Sequence, residues 1–250
     1  MDTDHRPRYL VVTPYYKEER GLLERCINSV KNQTVAIDHL LVADGFPQDW
    51  IDAAGVRHIK LDRSHGDYGN TPRGIGAVLA ISEGYDGFCF CDADNWLELN
   101  HIALCIDVAE NAGADCDYVV SRRFFRRPDE TIIPIGDEPI EKHVDTNCFF
   151  FLPGSYHTLH FFSGMPRELA GVGDRLFYIA LKAAELNFAV VPVASVNYHC
   201  MWAPIYEAAK EIPPVGAKPN LDLQAVDQWL ASLKPRERQV ISRRTGIAFS

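Results

Sequence analysis

The sequence predicts an α/β protein with a doubly wound mixed sheet flanked by helices, and three observations predict it. Short apolar runs typical of buried strands alternate with amphipathic helical segments over the first 115 residues. Polar side chains directly follow several of these runs, and no linker interrupts residues 1–203. The 250 residues, 47% hydrophobic and 24% charged, suffice for a full core without disulfides.

The first half is predicted to consist of repeated strand and helix units. The run at 9–13 has the continuous apolar character of a strand buried on both faces of a parallel sheet. Apolar residues at helical spacing from Leu22 to Val30 predict a helix that covers it. Further strands are expected at 40–43, 58–61 and 88–91. Two more helices are expected from the apolar sets Ile75, Val78, Leu79 and Ile81, and Leu99, Ile102, Ile106 and Ala109.

The second half is less regular and is expected to extend the same sheet. Strands are predicted at 117–120, 131–134, 147–152 and 189–193, with one long helix at about 172–187. Prolines interrupt the chain between 204 and 219, and a basic terminus closes it. We therefore predict a helical C-terminal extension over 204–250, with one apolar face made of Leu223, Val226, Leu230 and Leu233.

Charge and cysteine content limit the possible partners and compartments. The formal net charge of −9 argues against nucleic acid or an anionic membrane surface as the main partner. Seven cysteines in apolar stretches indicate reduced, buried thiols, and a zinc site is the weaker alternative because no Cys-x-x-Cys pair exists. The sequence shows neither a signal peptide nor an apolar run of about 18 residues, so no transmembrane segment is expected. A cytoplasmic location is predicted, with peripheral contact at the inner membrane as an alternative.

The strongest chemical signal is Asp92-Ala93-Asp94, which directly follows the predicted strand 88–91. Ligands bind outside the carboxyl ends of strands in open α/β sheets, so both carboxylates are expected in the crevice. Two such acids can divide their roles, one binding a sugar hydroxyl and the other a divalent cation that a diphosphate also contacts. The competing interpretation is a solvated turn in which Asp94 or Asn95 caps the following helix.

Two weaker signals lie at the same predicted edge. Asp44 ends the second strand, where it could accept a hydrogen bond from a base or ribose hydroxyl, or start a turn before Gly45. Residues 69–76 contain glycines that allow close backbone approach, and Arg73 there offers a charged planar fork to phosphate. Leu79 stands where the dinucleotide-binding fingerprint needs a small residue, so a dinucleotide-dependent dehydrogenase is a poor fit.

In order and spacing, these features resemble family 2 glycosyltransferases of the GT-A fold over about residues 8–200. The resemblance implies a domain over 1–203, with a nucleotide-binding half at about 8–115 and an acceptor half at about 116–203. It implies a nucleotide-diphosphate sugar donor, with uracil the family's most frequent base, and a Mn²⁺ or Mg²⁺ ion. Asp92 would contact the ribose or sugar, and Asp94 the metal. The other donor contacts implied by the resemblance are Thr13, Pro14, Tyr15, Glu19, Asp44 and Arg73.

The same resemblance adds two residues from the second half. Asp174 precedes a predicted helix at the position of the family's general base, although Gly173 replaces the acid that usually comes before it. A helix N-cap is the competing interpretation of Asp174. His199 leaves a predicted strand late in the chain, where several GT-A enzymes complete their metal site. A core histidine held by the backbone is its alternative.

The remaining candidates concern the acceptor and the loops. Asp145 and Trp202 are acceptor candidates, with an edge turn and half-buried packing as the simpler explanations. His65 and Asp67 could flank the diphosphate. A solvated strand face, or a site for a phosphorylated acceptor, is expected at Arg122, Arg123, Arg126 and Arg127.

The predicted function is metal-dependent glycosyl transfer with inversion, from a nucleotide-diphosphate sugar to a carbohydrate or glycoconjugate hydroxyl. Inversion is implied by the resemblance, and polysaccharide or glycoconjugate synthesis is the expected setting. A nucleotidyltransferase is one alternative, but residues 14–19 lack the glycine-rich, lysine-bearing loop that such enzymes carry after the first strand. The other alternative is a non-catalytic subunit that binds nucleotide sugars. It stays open because the acid that usually comes before Asp174 is missing.

Overall fold

The computed structural model describes residues 6–136 and 138–249. Eight strands occur in this part of the chain, namely β1 (Tyr9–Tyr15), β2 (Asp38–Ala43), β3 (Arg57–Lys60), β4 (Gly87–Phe90), β5 (Trp96–Leu97), β6 (Tyr118–Arg126), β7 (Phe149–Phe151) and β8 (Phe188–His199). They form one sheet in the order β3-β2-β1-β4-β7-β6-β8-β5. Strands β3, β2, β1 and β4 are parallel, whereas β7 is antiparallel to both neighbours and β5 is antiparallel to β8. This arrangement confirms the predicted mixed α/β sheet.

The helices of the described residues are α1 (Arg20–Lys31), α2 (Asn70–Ser82), α3 (His101–Ala112), α4 (His160–Gly164), α5 (Gly173–Ala183), α6 (Ala203–Ala208), α7 (Leu223–Ser232) and α8 (Pro235–Thr245). The centre of the core is aromatic, since Phe149, Phe150 and Phe151 of β7 are all at most 1% exposed. Phe149 contacts Phe177 of α5 edge to face at 5.6 Å. The sheet and the second-half helices therefore share one core.

Helix α2 packs through its small residues, which differs from the predicted apolar face. Val78 is 61% exposed and Ile81 40% exposed, whereas Gly76 lies against β1, and a Cβ placed on it would be 2.3 Å from Val12 Cγ1. The glycine-rich segment 69–76 is thus mostly the first half of a helix. Its glycines allow the helix to approach the sheet closely.

Three predicted elements of the second half differ in the structure. Residues 131–134 make only an isolated bridge from Ile132 to Arg126, and the Ile135 amide then donates back to the Ile133 carbonyl at 2.9 Å instead of continuing the ladder. The predicted helix 172–187 stops at Ala183, and Glu185 takes a left-handed turn with φ 53°. Strand β8 is longer than predicted and continues to His199.

The C-terminal residues pack against the sheet and its helices. The amide of Lys218 donates to the carbonyl of Met201 at 2.6 Å, which returns the chain to the end of β8. Helix α8 contacts α4 so closely that a Cβ on Gly164 would lie 2.3 Å from the carbonyl oxygen of Arg244. None of the helices within 6–136 and 138–249 has the length and apolar character needed to span a bilayer.

The predicted burial of the cysteine thiols is confirmed for six of the seven. All seven thiols are free, and only Cys116 is not fully buried.

Candidate active site

A cavity of about 670 Å³ opens at the carboxyl ends of β1, β2 and β4 and is closed on the opposite side by residues of the second half. This is the edge where ligands bind in parallel α/β sheets. Of the twelve candidates for the donor, the metal, the acceptor and the base, nine line it: Pro14, Tyr15, Asp44, Arg73, Asp92, Asp94, Asp145, Asp174 and Trp202. Asp67 and Arg123 also line the cavity, whereas His65 does not.

The other three of these twelve candidates do not line the cavity. The Thr13 hydroxyl is fully buried and hydrogen-bonds His39 Nε2 at 2.8 Å, so it serves the core. Glu19 is exposed at the start of α1, and its neighbour Glu18 faces the cavity in its place. His199 donates its backbone amide to Asn95 Oδ1 at 2.9 Å and is not among the lining residues. The structure therefore does not support donor contacts by the Thr13 and Glu19 side chains, or His199 as a partner of Asp94 at a metal.

Asp92 is held on both carboxylate oxygens. The Arg73 guanidinium donates to Oδ1, and Asn147 Nδ2 donates to Oδ2 at 3.0 Å. Arg73 is itself buried and also donates to the Tyr68 carbonyl at 2.8 Å. The guanidinium expected to be open to phosphate is thus committed to orienting Asp92.

Asp94 has a contrasting environment. Within 6–136 and 138–249, no donor from another residue hydrogen-bonds its carboxylate, although its carbonyl accepts from Arg25 Nη2 at 2.7 Å. Burial and the negative charges of Asp92 and Glu18 raise the pKa of Asp94 to about 7, and Lys218 acts in the opposite direction. The helix-cap interpretation is wrong, because the next helix begins at His101 behind Asn100.

A hard divalent cation fits this carboxylate chemically. Such ions bind through one or two carboxylates and keep waters that substrate phosphate oxygens replace. Among the described residues, the Asp94 carboxylate has no cationic hydrogen-bond partner, so a bound divalent ion would supply the missing positive charge. A site made wholly of protein ligands is not found, since the described residues contain no group of three or more His, Cys, Asp or Glu placed to hold a metal.

Asp44 is buried and is already a multiple acceptor. It receives hydrogen bonds from Ser64 Oγ at 3.2 Å and from the His65 backbone amide and ring Nδ1 at 3.0 and 2.7 Å. Asp67, predicted near the diphosphate, accepts from the amide and hydroxyl of Thr71 at the start of α2. Both carboxylates therefore order the loop between β3 and α2 that borders the cavity.

Asp174 lies on the opposite wall, in the first turn of α5. Its Oδ1 accepts from the Arg175 amide at 2.7 Å, and its Oδ2 is 2.6 Å from His143 Nε2. Val172 is the N-cap residue of α5, so the N-cap interpretation of Asp174 is wrong. Burial raises the pKa of Asp174, but the hydrogen bond and charge of His143 lower it. The pKa of this carboxyl is therefore below its usual value.

His143 is held between two acids. Its Nδ1 lies 3.4 Å from Glu138 Oε1, on the side away from Asp174. Burial alone would lower the pKa of His143, but the hydrogen bonds of Asp174 and Glu138 raise it to about 9. The ring is therefore an imidazolium at neutral pH.

Arg123 anchors this arrangement and corrects the expectation of a solvated arginine face. Its side chain is 7% exposed and binds Glu138 through Nε and Nη2 at 2.7 and 2.9 Å. It also pairs with Asp145 and stacks over the rings of Phe125 and Tyr198 at 4.5 and 4.4 Å. Asp145 is thereby a partner of Arg123, and its side chain is only 12% exposed.

Asn147 joins the two walls of the cavity. Its Nδ2 donates to Asp92 Oδ2 and, at 2.6 Å, to Asp145 Oδ1. A continuous polar chain therefore runs along Asp92, Asn147, Asp145, Arg123, Glu138, His143 and Asp174. Sequence reasoning missed Glu138 and His143, because they lie in a loop without periodicity and their partners are up to 31 residues away.

An aromatic end wall completes the cavity. Trp202 is half-buried and donates its indole N–H to the Tyr198 hydroxyl at 2.8 Å. Lys218 and Arg175, both exposed, add positive charge to the lining. The cavity thus combines an acidic pair, an ionised carboxylate opposite and a flat apolar surface.

Solved structures of S. aureus TarS are similar to this chain. TarS 1-349 in complex with UDP gives a TM-score of 0.61 at 11% identity, covering 95% of this chain and 70% of that one. TarS 1-349 in complex with UDP-GlcNAc gives 0.53 at 14% identity, with coverage of 95% and 71%. A further TarS structure gives 0.56 at 13% identity, covering 97% of this chain and 44% of that one. No curated protein sequence matches this chain.

The sheet, its flanking helices and this likeness define an α/β domain of the GT-A class. The sequence profile of glycosyl transferase family 2 matches residues 10–169, which is more than half of the chain. The chain belongs to that family.

Proposed function

We propose that this protein is a metal-dependent, inverting glycosyltransferase that moves a sugar from a UDP-sugar to a hydroxyl of a carbohydrate or glycoconjugate. The observation that carries the proposal is the placement of an unpaired carboxylate, Asp94, and an ionised carboxylate, Asp174, on opposite walls of one cavity. Family membership and the UDP and UDP-GlcNAc complexes of TarS support the donor class.

The donor would occupy the wall formed by the ends of β1, β2 and β4. We expect Pro14, Tyr15 and Asp44 beside the nucleoside, and Asp92, oriented by Arg73, at the ribose or sugar. Asp94 and the donor diphosphate would together bind the Mn²⁺ or Mg²⁺ ion. When bound, such an ion neutralises negative charge on a leaving diphosphate.

Asp174 would act as general base on the acceptor side. Its carboxylate takes the proton of the acceptor hydroxyl while the hydroxyl oxygen bonds to the anomeric carbon and the bond to the diphosphate breaks. Attack from the face opposite the leaving group inverts the anomeric centre in one step, without a covalent intermediate. Because its pKa is lowered, Asp174 is unprotonated over the whole neutral range. Trp202 would offer its ring to the acceptor sugar.

Release of UDP from UDP-GlcNAc, UDP-glucose and UDP-galactose tests this proposal, with water taking the place of the acceptor. We expect metal-dependent release from at least one donor, and the free sugar to appear first as the inverted anomer in NMR spectra. The Asp174→Asn variant should lose about 10²-fold or more in kcat with unchanged UDP affinity. Asp107→Asn, a change on the exposed surface of α3, is the matched control.

Two results would contradict the proposal. UDP binding with metal but no release from any of the three donors, with water or with added carbohydrate acceptors, would contradict the proposal and favour a non-catalytic binding subunit. An Asp174→Asn variant with near-normal release removes Asp174 as the base.

A further inference from the structure

His143 has a geometry that the proposed reaction does not by itself require. Its two ring nitrogens face two different carboxylates, Glu138 at 3.4 Å and Asp174 at 2.6 Å. Nε2 is hydrogen-bonded to Asp174, and Nδ1 is at ion-pair distance from Glu138. Only the protonated ring carries an N–H on both nitrogens, so a carboxylate opposite each nitrogen favours the imidazolium. The ring therefore has a fixed charge and a fixed orientation at the proposed base.

Glu138 is fixed in turn from the sheet. Arg123 of β6 binds both of its oxygens in a bidentate pair, and the Arg123 side chain is nearly fully buried. Bidentate pairing of this kind restricts a carboxylate to one orientation. The position of His143 is thus set by the sheet, although His143 itself lies in a loop.

The Asp174 carboxylate has little freedom between these contacts. Oδ1 accepts from the Arg175 amide at 2.7 Å and Oδ2 from His143, so rotation about the Cβ–Cγ bond would break two hydrogen bonds. The same carboxylate lines the cavity and is partly exposed there.

We propose that His143, held by Glu138 and Arg123, is the positioning residue that orients the Asp174 carboxylate toward the acceptor hydroxyl. This inference rests on the proposed function, because it assigns His143 a role only if Asp174 is the base. It adds to the reaction a Glu–His–Asp arrangement in which the histidine acts through the Asp174 carboxylate.

The arrangement predicts a definite pH dependence. The charged groups facing the His143 ring are Glu138 on its own loop, Asp174 on α5 and Arg123 on β6. The imidazolium persists below the His143 pKa of about 9, so its support of Asp174 is lost as the pH rises through that value. Removing His143 removes the largest effect that lowers the Asp174 pKa and leaves burial, which raises it. The acid limit of activity should then move to higher pH.

The direct test is an NMR titration of ¹⁵N-labelled histidine side chains in the ligand-free full chain, with the His143 signal assigned by its loss in His143→Gln. We expect His143 to titrate near pH 9 in the wild type and at clearly lower pH in Asp174→Asn and in Glu138→Gln. His157→Gln, on the exposed surface, is the matched control and should leave the His143 curve unchanged. Titration of His143 near the ordinary value of about 6.5, or an unshifted curve in Asp174→Asn, would overturn the inference.

The kinetic test uses UDP release from the best UDP-sugar between pH 5 and 10. We expect His143→Gln to lower kcat at least tenfold at pH 7, to move the acid limit upward, and to leave KM for the donor unchanged. Wild-type kcat and limits in His143→Gln would overturn the inference while leaving Asp174 as the base. Full activity of Asp174→Asn would instead remove the proposed function, and the NMR titration would still report whether His143 pairs with Asp174.

Discussion

Asp92 and Asp94 are two residues apart in one turn, yet their carboxylates have different partners. Asp92 is neutralised by Arg73 and hydrogen-bonded by Asn147, whereas Asp94 receives no hydrogen bond from the side chain of another described residue. A carboxylate without a compensating cation is destabilising when it is ionised in a protected site. Asp92 is therefore already positioned by its partners, whereas the Asp94 carboxylate is free of such contacts within the described residues.

This difference makes a prediction about stability and pH for Asp94→Asn. The folded-state pKa of Asp94 is raised to about 7, so the folded protein binds more protons than the unfolded chain between about pH 4 and 7, and Asp94 costs stability as the pH rises. In metal-free buffer, Asp94→Asn should gain about 1 kcal/mol or more in unfolding free energy at pH 8 relative to wild type. The gain should vanish near pH 4.

Urea unfolding of both proteins at pH 4 and pH 8 in the presence of EDTA measures this gain. Asp107→Asn, on the exposed face of α3, should show no comparable pH-dependent gain. If Asp94→Asn is less stable than wild type at pH 8, the carboxylate has a stabilising partner and the assignment of an open cation ligand is wrong.

Elements with continuous apolar runs could be predicted from the sequence, and elements defined by tertiary contacts could not. Strand β1 was predicted because a strand buried on both faces needs an unbroken run such as Leu10, Val11 and Val12. The two-residue strand β5 has no such run and exists because Trp96 and Leu97 pair with β8. In the site, the carboxylates at strand ends could be predicted from the topology. His143 could not, because its place there depends on a tertiary contact with Asp174 of α5.

The packing of α2 on the sheet gives a prediction at the element scale. A Cβ on Gly76 would lie 2.3 Å from Val12 Cγ1, so Gly76→Ala forces the helix away from β1. We expect a loss of about 1–3 kcal/mol in unfolding free energy despite the better helix propensity of alanine. Because α2 carries Arg73, the partner of Asp92, UDP affinity should fall as well.

Gly21→Ala in α1 is the matched control, since nothing lies within 4 Å of its Cβ position. Alanine there should be neutral or stabilising by up to about 1 kcal/mol. Equal stability of the two variants in chemical denaturation would show that α2 does not need glycine for its approach to β1.

Across the whole molecule, the cavity depends on distant parts of the chain. Donor-side residues come from the ends of β1, β2 and β4, the proposed base from α5, and Lys218 from the segment that returns to β8. The net charge is −9, and acidic side chains also outnumber basic ones in the cavity lining, where Arg73 and Arg123 are already paired with Asp92 and Asp145. An anionic ligand would therefore need a cation to accompany it there. The polar chain from Asp92 to Asp174 spans the two walls and holds the donor-side and acceptor-side carboxylates in one arrangement.

The most direct measurement of the central claim is a calorimetric titration of UDP into the wild type and Asp94→Asn, each with Mn²⁺ and with EDTA. We predict UDP binding by the wild type that is at least tenfold tighter with Mn²⁺, and loss of that metal-dependent gain in Asp94→Asn while Asp107→Asn retains it. An Asp94→Asn variant that binds UDP as tightly as wild type in Mn²⁺ would contradict the assignment of Asp94 as the metal ligand. Absence of UDP binding by the wild type under both conditions would contradict the assignment of this cavity to a UDP-sugar donor.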